Sequence, residues 1–212
     1  MIIYILVTFS ISVAAFINLS PEFGTNPSKE QKQLYANYSN YENGEFQNVE
    51  EFIMMTEDMP MSEFFRDDSN RIPNNDLIHE KIDLESFISI DENKIKISWL
   101  GHSAFILNIG GYILLLDPML GQYAAPLPLP SLKRYSSNIA FSIDDIDSID
   151  AVILSHDHYD HLDYSTIRQI KNKVKTFFVP YGLGNHLKGW GVNQESIIEL
   201  NWDESANFNG IE

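Results

Sequence analysis

Residues 151–163 read AVILSHDHYDHLD. The first four residues form a strand-like apolar run, and such runs without polar alternation are expected where both faces of a sheet are covered. The run ends in His156, Asp157, His158, Tyr159, Asp160 and His161, three histidines and their carboxylates within six residues. In a chain leaving a buried strand in extended form, His156 and His158 project to one side because alternate residues share a face, and there they would share a metal. Asp160 and His161 follow after the chain turns and offer a hard oxygen and an imidazole to a second cation beside the first. Two adjacent divalent metal ions are the expectation. A surface histidine cluster and a single structural metal are the competing readings.

Downstream, Asp163 is placed to cap a helix, with Ile167, Ile170 and Val174 three and four residues apart on its buried face. The strands TFFVP (176–180) and SIIEL (196–200) come next, which makes βαβ alternation. Upstream, IKISWL (95–100), AFILNI (104–109) and YILLL (112–116) form three short β-rich segments, the last two separated by Gly110 and Gly111. They read as a meander. The fold class is therefore α/β, with the histidine motif in a loop leaving a buried strand.

The 212 residues correspond to one domain with an appendage, and 44% hydrophobic with 21% charged residues is an ordinary globular composition. There is no cysteine, so metal ligands and nucleophiles must come from other residue types. A net charge of −16 opposes any surface that tracks phosphates, and nucleic acid is not an expected partner. Met1 to Leu19 is nineteen residues without a charge. At 1.5 Å per residue this is about the thickness of a bilayer core, so residues 1–19 read as a membrane anchor or a cleaved signal, with a buried core helix as the minor option. The protein would then be membrane-associated, or exported if the segment is removed. Between Pro21 and Glu92 there are seventeen acidic and five basic residues. This acidic lead-in, residues 20–92, is expected to be a partly ordered collar or linker before the catalytic region at 93–212.

The motif and its surroundings resemble a known superfamily. His156, His158, Asp160 and His161 match the HxHxDH signature of the metallo-β-lactamase-fold hydrolases, and Asp117 in LLLDP matches the aspartate that precedes it. WLGHSAFILNIGGYILLLDP, SIDAVILSHDHYDHLD and FFVPYGLG are similar to the branch containing N-acylphosphatidylethanolamine-hydrolysing phospholipase D and its bacterial relatives, and more distantly to L-ascorbate-6-phosphate lactonase. The resemblance implies an αββα sandwich and a dinuclear site, usually zinc, whose bridging hydroxide attacks a phosphodiester or related ester, with a lipid as a candidate substrate. It implies that Asp160 holds the second metal and orients the nucleophile. Asp117 would stand behind the ligands and accept an imidazole N–H from one such as His156 or His158. A lactonase of soluble sugar phosphates and a truncated, non-catalytic fragment are the alternatives. The family completes its site with a histidine, a bridging aspartate and a last histidine from a second βα half. This chain is expected to cover only the first half, leaving apolar faces that another chain, as in an oligomer, would have to cover.

Other residues carry weaker expectations. His102 follows a strand and is a candidate substrate contact in the cleft. Arg134, beside Lys133 after the proline-rich APLPLP, is a candidate for bidentate contact with a phosphate, against a solvated surface pair. His79 and His186 are expected to be structural, and Tyr159 and Phe105 to be aromatic core or the lining of a lipid pocket.

Overall fold

The apolar runs on either side of the histidine motif pair into one sheet. A computed structural model of the chain describes residues 1–48, 50, 60, 62, 73–91, 94–136 and 138–211. The chain divides into one unit made of Met1–Asn26 and His79–Glu212 and a second made of Pro27–Ile78. In the first unit, β3 (Ile95–Gly101), β4 (Ala104–Ile109), β5 (Tyr112–Leu116), β6 (Ile149–Ile153), β7 (Val174–Pro180) and β8 (Ile197–Leu200) form a six-stranded sheet in sequence order. The first three strands are antiparallel and the last three run parallel to β5. The expected meander and βαβ series are thus both present, and the α/β class holds.

Side-chain alternation gives the sheet two unlike faces. Across one run Ile106, Leu115, Val152 and Phe177, register partners in successive strands that are all buried. Helix α4 (Tyr164–Ile170) covers this face with Ile167 and Ile170, and α5 (Gly184–Gly189) adds Leu187 to the same core. Across the other face run Trp99, Phe105, Leu116, Ile153, Phe178 and Ile198. Trp99, Ile153 and Ile198 are exposed there, as are Ile95 and Ile97. On the same face Leu114 and Ala151 are buried, and a single large sheet is found among the described residues.

Asp163 caps α4 as expected, its carboxylate accepting from the amides of Ser165 and Thr166. Val174 does not continue the buried stripe of the helix. The helix stops at Ile170, three residues of turn intervene, and Val174 opens β7, because its β-branched side chain is followed by an alternating run that pairs with β6. Strand β6 starts two residues before the expected Ala151, since Ile149 pairs with Val174. Asn108, buried in β4, donates to Phe87 O and so ties the short helix α3 (Leu84–Ile88) to the sheet.

Helix α1 covers Ile2–Leu19, and Tyr4, Ile5, Leu6, Phe9 and Ile11 on it are exposed. Among the described residues no helix is long and apolar enough to cross a membrane. The chain then turns through Pro21–Phe23 and docks on α5: Trp190 Nε1 donates to Pro21 O at 2.7 Å, and Thr25 N donates to His186 Nδ1 at 2.9 Å. In the second unit α2 (Lys29–Tyr35) begins with a capping box at Ser28 and Gln31. It is followed by a hairpin of β1 (Tyr41–Glu42) and β2 (Glu45–Phe46), where Tyr35, Tyr41 and Phe46 pack on one another. Residues 92 and 93, where the catalytic region was expected to begin, lie outside the described residues.

Candidate metal centre

The site lies where the chain leaves β5 and β6, parallel neighbours whose carboxyl ends are adjacent. Strand β5 delivers Asp117, and the loop after β6 delivers Ser155 to His161. The two exits are joined at the backbone: Asp117 N donates to Ile153 O at 3.0 Å, and Ser155 N donates to Asp117 Oδ1 at 2.7 Å. The turn between β3 and β4 brings His102 and Ser103 to the same place. His156 and His158 lie with ring centroids 4.6 Å apart, consistent with their expected projection to one side, and His156 and His161 lie at 4.0 Å.

The hydrogen bonds behind the rings decide which nitrogens are free. Ser155 Oγ donates to Asp117 Oδ2 at 2.7 Å, so at 2.8 Å it accepts from His156 Nδ1. His161 Nδ1 lies 3.0 Å from the same carboxylate oxygen and donates to it, with Ser103 Oγ also at 3.0 Å. Both imidazoles therefore donate from Nδ1, which in the neutral ring leaves Nε2 as the nitrogen open to a cation. This is the arrangement by which a carboxylate orients metal-binding histidines and raises their basicity. His161 Nε2 lies 3.8 Å from Asp160 Oδ2, a separation that two ligands with bonds of about 2.1 Å can span around one cation. The donor set, neutral imidazoles with a carboxylate, fits a borderline divalent ion. Burial and the neighbouring His161 and His158 hold the His156 pKa below its ordinary value, against a smaller opposite pull from Asp117 and Asp160. His156 is thereby kept in the neutral form that a ligand needs.

The direct imidazole partner of Asp117 is His161, where the resemblance implied one such as His156 or His158. Asp117 reaches His156 only through Ser155, and no hydrogen bond joins it to His158 among the described residues. Ser155 and Ser103 were not singled out from sequence. Ser155 had a signal, a hydroxyl between a buried strand and the first histidine, whereas Ser103 had none. His102 does enter the site, its Nε2 2.9 Å from Asp160 Oδ2. With Asp160 and His161 it forms a group whose candidate ligand atoms all lie within 4.8 Å of one another. His102 and Asp117 are two of five residues other than glycine with positive φ among the described residues, at 48° and 38°.

The remaining expectations fall out differently. Arg134 is not a free cation at the mouth of the site: its Nη2 donates to Met119 O at 3.1 Å, and burial lowers its pKa. It fastens the loop after β5, while Lys133 is exposed. His186 is structural, as expected, and His79 has a buried Nδ1 with no partner among the described residues. Tyr159 lines a cavity of about 510 Å³ with Glu22, Tyr123, Pro126, Tyr164 and Arg168, where burial and then Asp163 and Glu22 push its phenol pKa up. Phe105 lies on the open face of the sheet, between Trp99 and Leu116.

The chain is similar to several known proteins. Residues 112–212 match the beta-lactamase superfamily domain. An uncharacterized protein of Mycobacterium tuberculosis is 38% identical over 117 residues, which cover 55% of this chain and 31% of that protein. The N-acyl-phosphatidylethanolamine-hydrolyzing phospholipase D 1 of Caenorhabditis elegans is 32% identical over 123 residues, 55% of this chain and 34% of the relative. A metal-dependent hydrolase of Saccharolobus solfataricus is 32% identical over 118 residues, 55% and 46% respectively. The match therefore spans about a third to a half of these relatives' length. Among solved structures, an isothiocyanate hydrolase from Delia radicum gut bacteria superimposes with a TM-score of 0.43 and 22% identity, over 54% of this chain and 44% of that one.

Proposed function

We propose, from the match of residues 112–212 to the beta-lactamase superfamily domain, that the chain carries the metal centre of a metal-dependent hydrolase acting on a phosphodiester or related ester of phospholipid type. The observation that carries the reading is the relay of hydrogen bonds from Asp117 to His161 and through Ser155 to His156, which fixes both rings by Nδ1 and sets Nε2 of His161 3.8 Å from Asp160 Oδ2. His156 and His158 are the residues to hold one cation, and Asp160 and His161 the residues to hold a second. Two zinc ions there would lower the pKa of the water between them and stabilise charge developing on a phosphoryl oxygen.

The chain's own residues do the positioning. Asp117 keeps the protons of both relay histidines on Nδ1, so that neither ring needs to rotate or change tautomer during turnover. Asp160, half-buried, offers its carboxylate at the rim, where it can orient an attacking water by accepting its proton in a hydrogen bond. The similarity to the C. elegans phospholipase D favours a phosphodiester over a sugar lactone.

The test is metal analysis of the purified 212-residue chain, together with hydrolysis of a chromogenic phosphodiester such as bis(p-nitrophenyl) phosphate. Up to two equivalents of zinc, iron or manganese are expected. His156→Ala and Asp160→Ala should each lose metal and abolish hydrolysis while keeping the far-ultraviolet circular dichroism of the parent. Turnover that survives Asp160→Ala would remove that residue from the site.

A further inference from the structure

We propose that the cavity beside Tyr159 is a binding site for a quaternary ammonium group, caged by Tyr123, Tyr159 and Tyr164 and neutralised by the carboxylate of Glu22. The cavity measures about 510 Å³, and every residue lining it belongs to the unit that carries the histidine motif. That volume falls within the roughly 300–1,000 Å³ of small-molecule sites. Its charged lining residues are Glu22, Asp163 and Arg168. Asp163 is committed to the fold, since it is buried and accepts from the amides of Gly121, Ser165 and Thr166 and from the hydroxyls of Ser165 and Thr166. Glu22 is half-buried, and among the described residues no hydrogen bond or ion pair holds its carboxylate. Two carboxylates against one guanidinium disfavour an anion there and leave Glu22 to receive a cation. The aromatic walls select its kind. A ring face attracts a cation within about 6 Å of its centroid, and the exposed guanidinium of Arg168 already lies over Tyr164 at 5.6 Å. A quaternary ammonium has no N–H to satisfy, so ring faces, a carboxylate and the apolar wall from Ala125 to Pro128 meet its needs.

The backbone on both sides of Glu22 is pinned. Pro21 O accepts from Trp190 Nε1 at 2.7 Å, and Thr25 N donates to His186 Nδ1 at 2.9 Å. Two glycines permit this close approach: a side chain at Gly24, where φ is 73°, would collide with the His186 ring, and one at Gly189 would collide with Thr25. The segment is thus fitted to α5 by contacts that leave the Glu22 side chain to the cavity. Burial, then Asp163 and Glu22, push the Tyr159 phenol pKa up, which sets the Glu22 charge close to that ring. None of the lining residues is a candidate metal ligand, so the site stands apart from the metal centre although Tyr159 lies between His158 and Asp160 in the sequence.

The experiment is titration of the full chain with choline, followed by saturation-transfer NMR of its methyl protons, beside its neutral carbon isostere in which tert-butyl replaces trimethylammonium. Choline is expected to bind saturably and the isostere at least about ten-fold more weakly. Glu22→Gln and Tyr123→Leu should each weaken choline at least about five-fold. Glu22→Gln should keep the parental melting midpoint, because the contacts that pin its segment are made by the flanking backbone. Diffuse attraction of choline to a surface of net charge −16 hardly changes with one substitution, so a loss in Glu22→Gln identifies the cavity. Glycerophosphocholine, a lipid headgroup without its chains, separates two sources of the group. Binding tighter than choline, with the gain lost in Arg168→Ala, assigns a headgroup whose phosphate meets Arg168, and binding no tighter assigns a free cation. Absence of saturable choline binding, equal binding of the isostere, or parental affinity in both Glu22→Gln and Tyr123→Leu overturns the proposal. Zinc or a chelator should leave choline binding unchanged, and a chain that takes up no metal would overturn the metal centre and leave this site standing.

Discussion

Ser155 is placed between a buried strand and the first histidine, and its hydroxyl donates to Asp117 while accepting from His156. Its backbone amide separately holds the other oxygen of Asp117, a contact that does not depend on the side chain. Ser155→Ala should therefore leave Asp117 and His161 in place and release only the His156 ring. The expected result is about a ten-fold loss of cation affinity, typical of removing an outer partner of a metal ligand. Stability should change by about 1 kcal/mol, the usual net worth of a hydrogen bond. Competition with a chromogenic chelator measures the first and denaturant unfolding the second, and unchanged affinity would show that the relay to His156 is idle. At this scale the motif could be read as chemical identities at short spacing, and Asp117, 38 residues before Ser155, only through the family resemblance. Which histidine Asp117 serves was not legible. That pairing depends on an interposed hydroxyl and on a positive φ at Asp117, neither of which leaves a periodic trace.

Among the elements, β4 and β5 could be read to the residue because strong β-formers end at paired glycines with positive φ, Gly110 and Gly111. The end of α4 was misread because Val174 satisfies helical spacing and begins a strand equally well, and only its pairing with Ile149 decides. The docking of Pro21–Thr25 on α5 was invisible, since it depends on chain ends brought together by the sheet. It carries a prediction. His186 accepts from Thr25 N through Nδ1, and burial lowers its pKa, with Asp157 pulling weakly the other way at 3.9 Å. Above about pH 6.5, the ordinary histidine value, folded and unfolded chains are both neutral at this ring and the contact contributes in full. As pH falls below that value the unfolded chain takes up a proton that the folded chain resists, so stability declines until the lowered folded pKa is passed. His156, lowered for a similar reason, acts in the same direction. Thermal midpoints should fall between pH 7.5 and 5.5. His186→Gln, whose amide oxygen can accept from Thr25 at any pH, should flatten part of that fall, and an unchanged slope would exclude His186 as a contributor.

At the scale of the molecule, a net charge of −16 gathers cations around the whole surface, so cation binding as such does not identify the motif as the site. Linkage separates the two. A cation that binds the folded chain and not the unfolded one stabilises it by about 2.7 kcal/mol at one hundred times its dissociation constant. At roughly 2–4 °C per kcal/mol for chains of this size, that is a rise of about 5–10 °C in the melting midpoint. The unit that should respond contains the histidine motif and all three tryptophans, Trp99, Trp190 and Trp202, so intrinsic fluorescence reports on it selectively. Saturating zinc should raise the fluorescence-detected midpoint by that amount and a chelator should reverse it, with little weakening at 0.5 M salt because specific coordination survives screening that abolishes diffuse attraction. A chain carrying both His156→Ala and His161→Ala keeps the same acidic surface, and its midpoint should not move with zinc. An equal rise in that variant, or a rise that vanishes with salt, would assign the stabilisation to the acidic surface and not to the centre at the ends of β5 and β6.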